Sequence, residues 1–216
     1  SFTDANIAAE TAYLRGAGEP ERLVRHLKRR LGGGPTVTIE GSTHLVKDLV
    51  ATSLRWVLDR VIDQEGGPPT RVVLSHPANW RSIRREAFEQ AVEAAHITNA
   101  DLVTEPHAAA AFHTSEHVLE PNGLLAVYDL GGGTFDAAVI RNIVAPDGTV
   151  RFELAAEPEG VDHLGGADFD DALLHLVKTK LGTRWSAAER AGGAAFQMAR
   201  AGLEREGVAA KEALST

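Results

Sequence analysis

The sequence has no cysteine, a single methionine, and aromatic residues at only 6%. Without cysteine it forms neither a disulfide nor a thiolate metal site. That usage fits a reducing compartment, and the reading for location is cytoplasmic. No apolar run approaches the ~18 residues that a membrane helix needs. The opening residues, SFTDANIAAE, lack both the basic start and the apolar core of a secretory signal. Basic residues are also in the minority, with 22 Lys and Arg against 30 Asp and Glu. The resulting net charge of −8 argues against an extended nucleic-acid surface. There is no G-x-S-x-G nucleophile elbow, no repeat of solenoid period and no low-complexity tract. The chain does not begin with Met and finishes on a helical pattern, KEALST, so it reads as a segment of something longer.

What remains is 216 residues with an ordinary apolar fraction of 44%, enough for one large domain or two smaller ones. Residues 4–15 and 20–31 have helical patterns, broken by Gly32 to Gly34. TVTIE reads as a short strand ending at Gly41, after which Ser42 is placed to cap a long helix, THLVKDLVATSLRWVLDRVID. GGPP stops that helix. RVVLSHP reads as a buried strand, RSIRREAFEQAVEAA as a helix, DLVTEP as a strand, and HAAAAFHTSE as a helix following Pro106. LLAVYDL and FDAAVIRNIV are strands on either side of GGGT, and VRFELAAE returns after a PDG turn. HLGGADFDDALLHLVKTKL is a glycine loop running into a helix, and Ser186 is placed to cap a last helical region. The order is helices, β-α-β-α, a β-meander, then helices. This is an α/β layout with two sheet-centred halves meeting near Pro121–Gly123.

The stretch VYDLGGGTFDAAVI carries the chemistry. Two residues at positive φ suffice to close a hairpin, so three glycines exceed what closure requires. Lacking Cβ atoms, they let backbone N–H groups gather around an anion and let a ligand approach the main chain. Thr134 adds a hydroxyl donor. Asp129 and Asp136 would repel a phosphate unless a hydrated Mg²⁺ lay between them and its oxygens, and Mg²⁺ is typically held by one or two carboxylates with several waters.

LSHPANW, EPHAAAAF, YDLGGGTFD and HLGGADFDD, in this spacing, resemble the nucleotide-binding domain of the heat shock protein 70 chaperones, within the actin-like ATPase superfamily. The resemblance runs from roughly Glu19 to the C-terminus. It implies an actin-like ATPase (ribonuclease H-like) fold, here incomplete, with two lobes, each of a mixed sheet and flanking helices. Residues 1–120 would be part of the first lobe and 121–216 part of the second. It implies ATP or ADP with Mg²⁺ as cofactors, and a parent that is an ATP hydrolase.

By the same resemblance Asp129 and Asp136 hold the metal through water, and Gly131, Gly132, Gly133 and Thr134 bind phosphate. Glu105 orders metal-bound water and Lys28 reaches the transferred phosphate. Gly165, Gly166 and Asp168 lie near the nucleotide, as does Lys211. Pro77 and Arg85 match a pair linked to interlobe signalling. Unfolded polypeptide clients and co-chaperones would engage other parts of the parent, with no nucleic acid and no membrane contact from this segment.

Simpler readings stand beside these. Lys28 sits in a basic run, RHLKRR, whose ordinary role is a solvated helix face. Glu105, Asp168 and Asp170 are also placed to favour helix N-termini, and Arg85 to pair with Glu89 on its own helix. His113 and His117 have one-turn spacing with Glu116 between, but no third metal ligand is apparent. The three Trp residues read as packing or partner surface.

The sequence also departs from the family. Nothing before Phe2 supplies a first phosphate hairpin of the form D-x-G-T. His107 stands in place of the usual Thr, while Val208 and Glu212 replace residues around the adenosine. With half the phosphate clamp absent, the segment alone is expected to hydrolyse ATP negligibly. The rival readings are a metabolic kinase of the same superfamily, for which no sugar-pocket loop is visible, and an actin-like nucleotide-sensing regulator or scaffold without chaperone activity.

Overall fold

A computed structural model describes residues 23–34, 36–117 and 119–214. The first elements are a one-turn helix α1 (Leu27–Arg30), strands β1 (Thr36–Ile39) and β2 (Ser42–Leu45), and helix α2 (Val46–Glu65). Next come β3 (Val72–His76), α3 (Ser82–Ala94), β4 (Ala100–Thr104) and α4 (Glu105–Glu116). Four strands follow, β5 (Leu124–Leu130), β6 (Phe135–Val144), β7 (Val150–Leu154) and β8 (Glu159–Val161). Three helices complete the described chain: α5 (Gly166–Leu181), α6 (Thr183–Ala191) and α7 (Gly193–Ala213).

The chain is α/β, as its sequence implies. β1 and β2 form a hairpin, β3 and β4 a parallel pair, and β5–β8 an antiparallel sheet in which β6 is central. β6 is long enough to pair with β5 along one edge and with β8 then β7 along the other.

Two compact units result. The larger comprises His26–Val37 and His44–Leu164, while the described residues of the smaller fall in 23–25, Thr38–Thr43 and 165–214. The larger unit has its core between α2 and α3, where Leu31, Val46, Ala51, Trp80, Phe88, Ala91, Val92, Ala95 and Ile97 are all buried. Ala91 and Ala95 are small enough to let α2 and the α3 backbone approach closely. The rings of Trp80 and Phe88 then meet edge to face at 5.7 Å, with His76 stacked on Trp80 at 5.9 Å. In the smaller unit, Leu174 and Trp185 are buried, and Trp185 packs edge to face on Phe196 at 5.5 Å.

Several expectations are corrected. Residues 4–15 lie outside the described residues. Of the helix expected over 20–31, residues 20–22 lie outside the described residues, and from 23 onward only Leu27–Arg30 is helical, because His26 takes the left-handed conformation (φ 58°, ψ 45°). Ser42 does not cap α2. Glu40 (φ 48°) and Gly41 (φ 77°) close a tight β1–β2 turn, so Ser42 begins a strand and α2 starts four residues later without a side-chain cap. Ser186 lies inside α6 rather than at a helix start. β3 is not buried on both faces: Val73 is 54% exposed while its neighbours are half-buried. β8 went unforeseen.

Candidate functional site

The β5–β6 hairpin sets the site. Its register pairs Leu130 with Phe135 and Asp129 with Asp136, leaving Gly131–Thr134 as a four-residue loop closed by Gly131 N–H donating to Thr134 O at 2.9 Å. None of the three glycines adopts a left-handed φ. Their usefulness here is the missing side chain: a Cβ on Gly132 would stand in open space, and one on Gly133 would lie 3.0 Å from Arg29 Nε. The N–H groups of Gly132, Gly133 and Thr134 make no hydrogen bond among the described residues.

Asp129 and Asp136 face each other across the two strands but are unequal. Asp129 is half-buried, whereas Asp136 is 4% exposed and neither of its carboxylate oxygens has a hydrogen-bond partner among the described residues. Burial holds the Asp136 carboxyl above the usual carboxylate range. The nearby Thr134 hydroxyl and Lys28 favour its charged form, and the negative charges of Glu105 and Asp129 oppose it. Gly160 on β8 closes over this carboxylate. A Cβ there would come within 2.6 Å of Asp136 Oδ1 and closer still to Asn79 Nδ2, so only glycine fits. Asn79 Oδ1 is likewise buried without a partner among the described residues.

Lys28 and Glu105, far apart in sequence, meet here: Lys28 Nζ donates to Glu105 Oε1 at 2.7 Å. α1 supplies the lysine. Glu105 opens α4 directly after β4, with Pro106 behind it in the first turn, where an absent N–H costs nothing. One residue on from Lys28, Arg29 Nε donates to Gly133 O at 2.7 Å. The Thr104 hydroxyl and His107 Nδ1 are 2.5 Å apart, and His107 Nε2 lies 3.0 Å from Phe152 O, which ties the start of α4 to β7.

Other expected site residues gather in the smaller unit. Gly165 precedes α5 in extended conformation, and Asp168 N–H donates to Gly165 O at 3.0 Å. Lys211 Nζ donates to Asp170 Oδ1 at 2.6 Å and to Gly166 O at 3.3 Å. Arg85 stands 3.8 Å from Glu89 on its own helix, and Pro77 is fully buried. The His113 and His117 rings stack at 4.6 Å, and among the described residues no three His, Asp or Glu side chains converge on a cation position. A cation between Asp129 and Asp136 would therefore take most of its ligands from water and phosphate, which suits Mg²⁺.

Arg29, Asn79, Gly160 and the bidentate Arg84–Asp162 pair were not anticipated. The last joins α3 to the residue after β8 at 2.8 and 2.7 Å. Arg29 alone had a local signal, its place beside Lys28, and the surrounding basic run made it look like solvated surface.

A glycine hairpin with free amides, flanked by one half-buried and one buried aspartate on an α/β scaffold, defines a piece of an actin-like ATPase fold. Comparison with known proteins narrows this. The sequence profile described as "Hsp70 protein" matches residues 22–216. Chaperone protein HscA homologs from two strains of Acidithiobacillus ferrooxidans are each 32% identical over 212 residues, covering 96% of this chain and 31% of their own length. The chain belongs to the Hsp70 family, and it spans about a third of the length of these curated relatives. No helix among the described residues is long and apolar enough to cross a membrane.

Proposed function

We propose that this chain is the ATP-binding segment of an Hsp70-type chaperone ATPase. Its β5–β6 hairpin receives the phosphates of Mg-ATP, which the full-length parent hydrolyses between two lobes, one reaching to about residue 120 and the other beginning there. The observation that carries this reading is the buried Asp136 carboxylate beside three amides, all without a hydrogen bond among the described residues. An uncompensated charge in a protein interior is costly, and a hydrated cation offsets it. The residues fit that group, and bound Mg²⁺ supplies charge neutralisation and an ordered water shell.

In this reading Asp129 and Asp136 hold the cation through its waters. The amides of Gly131 to Thr134 and the Thr134 hydroxyl bind phosphate oxygens, with donors already in place as charge develops on the transferred group. Lys28 brings a cation to that group while Glu105 fixes its Nζ at 2.7 Å and accepts hydrogen bonds from water around it. Gly165, Gly166, Asp168 and Lys211 are assigned to nucleotide binding, and Pro77 with Arg85 to relaying its state between lobes. Clients and co-chaperones engage regions of the parent beyond this chain. The segment by itself, lacking a D-x-G-T hairpin, turns over ATP negligibly.

Titration calorimetry of Mg-ATP into the full-length protein and its Asp129→Ala variant tests this. Loss of at least about tenfold in affinity, roughly 1.4 kcal/mol, is expected. Equal affinity together with equal turnover in the two proteins would remove the proposal.

A further inference from the structure

Arg29 belongs to none of the groups assigned above, yet it touches two parts of the larger unit. Its Nε donates to Gly133 O at 2.7 Å, and its Nη1 lies 3.3 Å from His163 Nδ1. A guanidinium only donates, so this second bond needs the Nδ1 lone pair and places the His163 proton on Nε2. We infer that Arg29 is a positioning residue that aims the Thr134 N–H at an incoming phosphate and links occupancy of the hairpin to the strap Asp162–Leu164, an inference that rests on the nucleotide reading above.

The aiming follows from peptide geometry. The Gly133–Thr134 peptide is planar and trans, so its C=O and N–H point in opposite directions. Holding the oxygen against Arg29 turns the Thr134 N–H to the other side of the hairpin, and that N–H has no partner among the described residues. Glycine leaves this peptide free to rotate, so without a fixed acceptor contact the amide direction would be undetermined. The guanidinium lies within 3.0 Å of where a Gly133 Cβ would be, so a larger residue at 133 would displace it.

The link follows from what surrounds His163. Asp162 is gripped by both Arg84 N–H edges at 2.8 and 2.7 Å, and Val161 ends β8 on the edge of β6. The strap is thus anchored just before Gly165, where the smaller unit resumes. Arg84 fixes the strap to α3, whereas Arg29 fixes it to the phosphate hairpin. Arg29 meets its two partners with separate nitrogens of one rigid fork, Nε and Nη1, a spread that the single nitrogen of a lysine lacks.

Hydrogen–deuterium exchange of the full-length protein, with and without Mg-ATP, tests both parts. In the unaltered protein Mg-ATP should slow exchange at Gly132–Thr134 and at the strap and the residues just after it. Absence of any slowing at Gly132–Thr134 would sink the nucleotide reading, and this inference with it. His163→Ala keeps the Gly133 bond, so hairpin protection and affinity should stay within about threefold while the strap response is lost. A strap response that survives His163→Ala overturns the link and leaves the nucleotide reading standing. Arg29→Ala should lose the strap response and bind Mg-ATP about tenfold more weakly, as expected for one charged hydrogen bond. Unchanged affinity there overturns the aiming role. Should Arg29→Ala fail to fold, Arg29→Lys substitutes, with binding retained and the strap response lost; a full strap response in it counts against the fork.

Discussion

Replacing Asp136 by Asn separates what the fold needs from what the site needs. The carboxylate is 4% exposed and neither oxygen is hydrogen-bonded among the described residues, so in nucleotide-free protein only the nearby Thr134 hydroxyl and Lys28 offset its charge. A buried group left unsatisfied costs about 1–3 kcal/mol, more when charged. The amide keeps the volume and removes the charge but leaves its own polar atoms buried, so without nucleotide the variant should gain only the excess that the charge adds, about 1 kcal/mol. For a protein of this size each kcal/mol moves the melting temperature by about 2–4 °C, which calorimetry resolves readily.

The pH dependence gives a second handle, and its sign is fixed by the direction of the shift. Burial raises the folded pKa of Asp136 above its unfolded value of about 3.9. The folded state therefore binds more protons in the window that opens near that value. Whatever stability the neutral carboxyl lends is complete below the unfolded pKa and disappears as pH rises through the raised folded one. The advantage of Asp136→Asn should accordingly grow from about pH 4 upward and then level off. Mg-ATP should reverse the order, stabilising the unaltered protein and leaving the variant unmoved. A variant less stable at neutral pH, or an advantage that does not change with pH, would refute the claim that Asp136 is held as a poorly compensated charge.

Three further outcomes are expected. Gly32 sits at φ 76°, and a Cβ there would fall 2.5 Å from Arg84 Cγ, so Gly32→Ala should lose at least about 1–2 kcal/mol in denaturant unfolding. A loss below about 0.5 kcal/mol would mean the turn relaxes freely. The hydrogen bonds from Arg84 hold the Asp162 carboxyl below the usual range, so its contribution is present above pH about 4 and fades as pH falls through the depressed pKa. Asp162→Asn, its partly exposed pair broken, should lose about 0.5–1 kcal/mol at pH 7 and converge with the unaltered protein in acid, and a gap that persists there would contradict the assignment. Lys28→Ala in the full-length protein should slow single-turnover hydrolysis by about 10²–10³-fold, the cost of one preorganised donor, and an unchanged rate would take Lys28 out of the chemistry.

The glycine hairpin was legible because two apolar β runs flank an unmistakable loop. Once Gly131–Thr134 is taken as the loop, pairing of Asp129 with Asp136 follows by counting outward. The β1–β2 turn was hidden for the opposite reason. STHLVKDL continues a helical period without a break, and Glu40, with φ 48°, is a residue type that gives no warning of a left-handed turn. His26 concealed the interruption before α1 in the same way. β8 has three residues, too few for any period, and it exists because β6 outruns β7 and leaves an edge to be paired. The site roles of Lys28 and Glu105 came from family resemblance alone and their ion pair was not foreseen, since nothing in a separation of 77 residues encodes contact.

The inequality of the two aspartates shows where sequence pattern gives way to topology. Both sit at matching strand positions, both flank the same loop, and their register pairing puts them on one face of the sheet. β5 pairs only with β6 among the described strands, so Asp129 keeps access to water at a sheet edge. β6 has neighbours on both sides, and Gly160 of β8 closes directly over Asp136. Little of that carboxylate is left open to water, and no hydrogen bond among the described residues takes the water's place. Strand order, which no local pattern encodes, makes one aspartate a tolerable surface charge and the other a charge in want of a cation. A three-residue strand that contributes almost nothing to the core therefore has the larger part in shaping the site.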